Sequence, residues 1–189
     1  MRKPLRNPHR EPRVSAEQRR VAIPAAVLIP IVIRDAELTL LLTRRHERIS
    51  YAGHICFPGG RVDPGDAGPV ETALREAQEE VALSPADVQV IGELGDYVSH
   101  SGFRIHPIVG LVRSPGTLHG AEGEVDEILE FPLEHVLDSS SYQLRGSSWS
   151  EGSAHFYIEY RGAIVTGPTV SLMMGFYEEL LHTHSPEVS

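Results

Sequence analysis

The sequence predicts an α+β fold. Apolar, β-branched-rich runs of strand length recur along the chain, two long helical patterns interrupt them, and no regular βαβ alternation links the two kinds of segment. With 189 residues, 41% of them hydrophobic, the chain is sized for one domain with a substantial core.

In chain order, the first 20 residues read as a basic arm whose prolines discourage a helix. "AAVLIPIVI" from Ala25 and "ELTLLLTRR" from Glu37 form two strand-like runs joined by the polar "RDAE", the pattern of a hairpin. Pro30 points to an edge strand or a bulge. "HICFPGG" is a short strand ending in a Pro-Gly-Gly break, followed by the turn-rich "RVDPGDAGP". A helix then starts near Pro69, which suits a first helical turn, and stops near Ser84-Pro85, because the residue before a proline avoids helical angles. "VQVIGELGDYV" and "FRIHPIVGLV" read as strands flanking a loop at "SHSG". "EVDEILEFPLEHVLD" runs through a strand or bend into a short helix, and "AHFYIEYRGAIV" is strand-like. "TVSLMMGFYEELLHT" closes the chain as an amphipathic helix with Leu172, Met173, Phe176 and Leu180 on its apolar face. The expected organisation is an arm over 1–20, one domain over 21–185 and a tail over 186–189.

Composition narrows the function. The net charge is −9, yet residues 1–20 carry seven of the 17 basic side chains against Glu11 and Glu17, so the remainder is strongly acidic. Such a body argues against a nucleic-acid groove, which needs basic groups to replace phosphate counterions. The single cysteine, Cys56, excludes an intramolecular disulfide and Cys-rich zinc sites, and reads as a buried filler in an apolar strand. No apolar leader follows the basic N-terminus, and the apolar run from Val21 to Ile33 is broken by Pro24 and Pro30. A soluble, cytoplasmic protein without a membrane partner is expected; a homodimer is left open.

The stretch "LREAQEEVA" gathers Glu76, Glu79 and Glu80 on one side of the central helix, within an arc of about 100°. Val70, Leu74, Ala77 and Val81 form the neighbouring apolar arc, with Ala73 between the two. Like charges at these spacings repel, by a few tenths of a kcal/mol per i,i+4 pair. A divalent ion such as Mg²⁺, which takes carboxylate oxygens, would turn that repulsion into ligation. Taken alone, the nine residues read rather as a solvated face with Arg75 as local partner, because charged helix faces are common.

The preceding "FPGGRVDPGD" brings two glycines and a turn to the start of the helix, and together the segments resemble the signature box of the Nudix hydrolases, G-x5-E-x7-R-E-U-x-E-E-x-G-U, with U aliphatic. Gly60, Arg75, Glu76, Glu79, Glu80 and Leu83 match it. Asp66 stands in place of the first Glu, one extra residue separates it from Arg75, Ala77 fills the first aliphatic position and Ala82 replaces the late glycine. The coenzyme A diphosphatase branch has the variant F-P-G-G-x-x-D-x-x-D…T-A-L-R-E-A-x-E-E, which Phe57 to Gly60, Asp63, Asp66 and Thr72 to Glu80 match. That branch also carries an upstream segment of the form L-L-T-x-R-S-x-x-L-R-x-H-x-G. Here "LLTRRHERISYAG" keeps Leu41, Leu42, Thr43, Arg45 and Gly53, lacks the second Arg and the His, and is a residue shorter. "SGFRIHPIVG", "EVDEILEFPL" and "GPTVSL" are similar to later segments of the branch.

The resemblance implies an α/β/α sandwich with a mixed sheet, and hydrolysis of a diphosphate bond with Mg²⁺ or Mn²⁺. It implies Glu76, Glu79, Glu80 and the Gly59 carbonyl as metal ligands, and Arg75 as the residue that fixes the glutamates. Glu124, at the head of "EVDEILEFPL", is the candidate general base, with an ordinary loop glutamate as the alternative. Arg45, Arg44 and Gly60 are the candidate substrate contacts, though both arginines also read as strand-end charges. The expected substrate is a small-molecule diphosphate, coenzyme A or an acyl derivative. The rivals are ADP-ribose or a nucleoside diphosphate sugar and, in another class, a nucleotide sensor that does not cut. His100 and His106 lack metal-ligand spacing and read as satisfied or solvent-facing, with His100 left as a pocket residue.

Overall fold

The computed structural model describes residues 14–35, 37–113, 115–146 and 154–183. Residues 1–13 of the expected arm and the tail over 186–189 lie outside them. The end of the arm is a short helix, α1 (Ala16–Val21). Ser15 and Gln18 form a reciprocal capping box there, a local signal strong enough to start a turn after the proline-rich stretch.

The central sheet is built on β1 (Ile23–Ile33) and β2 (Leu38–Arg45), the expected hairpin, in register Ile31↔Leu40. β3 (Ile55–Cys56) pairs with β2, and β4 (Gly59–Arg61) with the first half of β1. The helix α2 (Pro69–Val81) follows, then β5 (Val88–Glu93), β6 (Tyr97–Val98) and β7 (Phe103–Arg113). β7 runs parallel to β1 over the whole strand, whereas the other pairings in this sheet are antiparallel, so the sheet is mixed. β8 (Val125–Pro132) pairs with β2 and leads into the short α3 (Leu133–Val136). A three-stranded antiparallel sheet, β9 (Tyr142–Gly146), β10 (Ala154–Tyr160) and β11 (Ala163–Val165), precedes the closing helix α4 (Gly167–Thr183).

Pro30 lies inside the central strand, not at an edge. Leu28 N–H donates to Pro58 O, and by two-residue alternation the missing N–H of Pro30 faces the same side. There it falls between the pairing with β4 at 25–27 and the pairing with β2 at 31–33, where a lost donor disrupts neither ladder. β9 escapes the sequence pattern because Gln143, Leu144 and Arg145 are all exposed and leave no apolar alternation.

β1 reads as a continuous apolar run because both its faces are covered. Ala26, Leu28 and Val32 pack with Ala73, Ala77 and Val81 of α2, while Ile29 and Ile31 pack with Val170, Met173 and Phe176 of α4. Each fully buried Leu or Ile contributes roughly 1.5–3 kcal/mol. α4 is buried more widely than the expected stripe, since Met174 and Tyr177 also lie inside. On α2 the buried set is Thr72, Ala73, Ala77, Glu80 and Val81, while Val70, expected in the apolar arc, is exposed. The small Ala73 and Ala77 let the helix lie close to the sheet, and that rotation carries Glu80 inward, one turn beyond Ala77.

α2 ends before Ser84. Ala82 takes a left-handed conformation (φ 57°) and its N–H returns to the carbonyls of Ala77 and Gln78. Behind this cap, Ala121 N–H donates to Glu80 O (2.9 Å) and His119 N–H to Val81 O (3.3 Å), which anchors the loop before β8 to the helix end.

Candidate active site

The three glutamates of α2 have three different environments. Glu80 is 6% exposed and accepts a hydrogen bond from Gly59 N–H (3.1 Å). Glu76 is half-buried against Gly60, where a Cβ would overlap its carboxylate. Glu79, placed with them by the sequence, stays near the surface and is held by Arg75. The Arg75 fork ties the set together: Nε and Nη2 reach both oxygens of Asp66 at 3.0 Å, while Nη1 donates to Glu76 (3.0 Å) and Glu79 (3.1 Å). Nη2 also donates to Arg61 O (3.2 Å), so the guanidinium binds loop, strand and helix at once. Asp66 thus occupies the box's first acidic position as the anchor of Arg75. Thr72 and the Asp63 N–H complete its hydrogen bonds.

Glu76 and Glu80 open into a cavity of about 530 Å³, which Glu124, Arg45, Gly59 and Gly60 also line. Glu124 arrives there on the turn after Ala121, and its carbonyl accepts His46 N–H (2.9 Å), joining the β8 loop to the segment after β2. Arg45 Nη1 stands 4.0 Å from Glu80 Oε1, and its Nε donates to Ser50 O (3.0 Å). Arg44 does not share this position. Adjacent strand residues face opposite ways, and Arg44 pairs across the ladder with Glu127 (Nε–Oε2 2.9 Å) on β8. His100 is exposed and outside the cavity lining, where its neighbour Ser101 takes part instead. His106 is held between Glu93 (2.9 Å) and Asp96 (2.7 Å). Cys56, expected to be buried filler, is only partly covered and lines the same cavity; its thiol lies 3.4 Å from the Thr43 hydroxyl.

Burial and crowding set the charge of the site. Burial pushes the Glu80 carboxyl up from 4.5 to about 7; Gly59 N–H and Arg45 oppose the shift, while Glu76 and Glu124 add to it. Burial also raises Glu76, against the pull of Arg75 and with the help of Glu79 and Glu124. By contrast, the Arg75 fork holds Asp66 well below the usual carboxylate range. The site therefore contains one acid held ionised by Arg75 beside two whose ionisation burial opposes in spite of Arg75 at Glu76 and Arg45 near Glu80.

The NUDIX domain model matches residues 23–148. The chain belongs to the Nudix family. It is 53% identical over 119 residues to an uncharacterized Nudix hydrolase, NudL, of Yersinia enterocolitica, a match covering 62% of this chain and 60% of that protein. The chain thus spans about three fifths of the length of the curated relatives that it matches. Among solved structures it resembles RenU, a Nudix hydrolase of M. smegmatis (TM-score 0.59, 14% identity, covering 87% of this chain and 88% of that one). It also resembles an Ap4A hydrolase of C. elegans in a binary complex (TM-score 0.51, 20% identity, 58% and 80% covered). These likenesses show the fold, the expected mixed sheet between helices.

The side chains facing the cavity at this end suit a hard divalent cation: carboxylate oxygens, two of them on carboxyls whose ionisation burial opposes. Among the described residues, no group of three or more His, Cys, Asp and Glu side chains is assembled to hold a metal ion, so these carboxylates are donors facing one cavity and not a finished cage. No helix among the described residues is long and apolar enough to cross a membrane. The sequence pattern missed the aromatic and apolar part of the cavity lining, to which Tyr51, His54, Phe57, Phe103, Pro168 and Leu172 belong. These come from the β2–β3 turn, the link between β3 and β4, the start of β7 and the first turns of α4; glycines beside several of them signalled turns, but no local pattern brought them together.

Proposed function

We propose that this Nudix domain is a metal-dependent diphosphatase that cleaves coenzyme A or an acyl derivative into phosphopantetheine and adenosine 3′,5′-bisphosphate. The observation that carries the hydrolytic reading is the single cavity into which Glu76, Glu80, Glu124 and Arg45 all open. The coenzyme reading rests on the resemblance of Phe57–Gly60, Asp63, Asp66 and Thr72–Glu80 to that branch of the family.

Glu76 and Glu80, with Glu79 beside them and the Gly59 carbonyl, would hold Mg²⁺ or Mn²⁺. When bound, the ion supplies neutralisation of diphosphate oxygens and a water of lowered pKa. Glu124 accepts the proton of the attacking water, within reach of the field of the other two carboxylates. Arg45 offers its Nη atoms to the diphosphate, its Nε being taken by Ser50 O. Arg75 positions the glutamates and Asp66 holds Arg75; neither needs to touch substrate. Gly60 leaves the space that Glu76 fills. The reading is of a cytoplasmic enzyme acting on a small molecule.

A second reading, hydrolysis of ADP-ribose or a nucleoside diphosphate sugar, is favoured because "LLTRRHERISYAG" lacks the second Arg and the His at the positions where the coenzyme branch's segment has them. A sensor that does not cut is disfavoured, because all three box glutamates are present. Product analysis of coenzyme A and ADP-ribose, each with Mg²⁺ and Mn²⁺, separates the readings. Adenosine 3′,5′-bisphosphate from coenzyme A supports the first, and cleavage of ADP-ribose alone supports the second. Glu79→Ala abolishes turnover while the protein stays folded, since its side chain is 59% exposed. Full activity in that variant would remove Glu79 from the ligand set.

A further inference from the structure

β8 reaches the cavity through an irregularity in its ladder. Arg44 of β2 faces Glu127, but Arg45 faces Val125, so Asp126 is the extra residue of a bulge. In an unbroken antiparallel ladder Arg45 would face Asp126, and the next residue, His46, would face Val125. The extra residue moves both partners by one, and His46 N–H donates to Glu124 O (2.9 Å). Only with that shift does Glu124 stand beside the segment after β2, where it lines the cavity. A one-residue slip of a strand turns its side chains to the opposite face, so the place of Glu124 depends on the bulge being held.

The His46 side chain is placed to hold it. It lies outside the cavity lining and is only 20% exposed. Nδ1 accepts Arg48 N–H (3.0 Å), and a ring that accepts there carries a proton on Nε2. Nε2 faces the bulged residue, 3.6 Å from Asp126 Oδ1, a charge–dipole contact beyond hydrogen-bond length. On the other side of the bulge Arg44 fixes Glu127 (Nε–Oε2 2.9 Å). Main chain and side chain of one residue thus engage Glu124 O and Asp126, the positions on either side of Val125.

We propose that His46 is a positioning residue for Glu124: with Asp126 it locks the bulge that delivers the Glu124 carboxylate to the cavity. This rests on the reading of Glu124 as the general base of a diphosphatase. The imidazole acts through the backbone and transfers no proton, so its loss slows the chemical step without weakening substrate binding. A displacement of about 1 Å at a catalytic group costs up to about a hundredfold in rate.

The test pairs kinetics with amide hydrogen exchange. With Mg²⁺ and whichever of coenzyme A and ADP-ribose the parent cleaves, His46→Ala lowers kcat about tenfold and leaves KM within about twofold. His46→Gln, whose amide nitrogen takes the place of Nε2, recovers most of the loss. His46→Asn, which keeps only the acceptor for Arg48 N–H, does not. Adding His46→Ala to Glu124→Gln costs nothing further, because the group that His46 positions is already gone. In the metal-free protein, His46→Ala speeds exchange of the Glu124 and Val125 amides about tenfold and leaves Leu28 N–H, bonded to Pro58 O, unchanged. A rise in KM at constant kcat, additive losses in the double variant or unchanged exchange overturns the proposal. Full turnover in Glu124→Gln removes the general base and overturns the proposal, while the diphosphatase reading stands. If the parent cleaves neither substrate, that reading fails and exchange alone decides: faster exchange at Glu124 and Val125 in His46→Ala keeps the lock, and no change overturns it.

Discussion

Removing the charge of Glu80 without changing its shape tests the electrostatics of the site directly. In the metal-free protein, burial raises this carboxyl from 4.5 to about 7. Between those values the folded state binds a proton that the unfolded state has lost, so stability falls as pH rises through the interval. Raising an acid this far corresponds to about 3 kcal/mol, spent on ionising Glu80 once pH exceeds about 7. Glu80→Gln keeps an oxygen for Gly59 N–H and deletes the ionisation. In EDTA, urea unfolding should find the variant equal to the parent near pH 4, below the ordinary value of 4.5, and about 3 kcal/mol more stable near pH 8. The same variant loses Mg²⁺-dependent turnover, the exchange of stability for function expected of a strained site. Equal stability of the two proteins at pH 8, or a destabilisation of the variant that does not vary with pH, would refute the claim that buried ionisation at Glu80 strains the fold.

Three further outcomes follow from the geometry. Gly59→Ala and Gly60→Ala should behave differently despite adjacency: a Cβ at Gly59 meets the β1 backbone at Val27 Cα (2.7 Å) and lowers the thermal midpoint, whereas one at Gly60 meets only the end of the Glu76 side chain and lowers turnover. Reversed effects in melting and activity assays would contradict the packing. Ala82→Gly should stabilise the protein by about 1 kcal/mol in urea unfolding, because φ 57° favours glycine; no gain would mean the cap is relaxed as it stands. Asp66 is held low by Arg75, so it contributes stability above its ordinary 3.8 that is lost as pH falls through its folded value. Asp66→Asn should therefore lower the thermal midpoint at pH 7 and flatten its dependence on pH below 4, as read by a melting series.

The box segment was legible because its information is local. Gly60, Arg75, Glu76, Glu79 and Glu80 sit within one short strand and the helix that follows it, and their spacing survives any rotation of that helix. The β1–β2 hairpin was legible for the same reason, as two apolar runs around a short polar joint. Pro30 misled because local chemistry says only that a donor is missing, whereas the sheet determines whether any partner waits for it. Arg44 and Arg45 are alike as letters. The pleat and the pairing with β8 send one to Glu127 and the other to the cavity.

By itself, the sequence determined the α+β class and the loop-helix with its three glutamates, since helix periodicity and turn chemistry act over a few residues. Tertiary structure alone decided which glutamate is buried and which stays at the surface, because that depends on how closely Ala73 and Ala77 let α2 approach the sheet. It also decided that Glu124 and Tyr51, far apart in the chain, line one cavity. Long-range pairing sets those positions, and no local pattern encodes the distance between them.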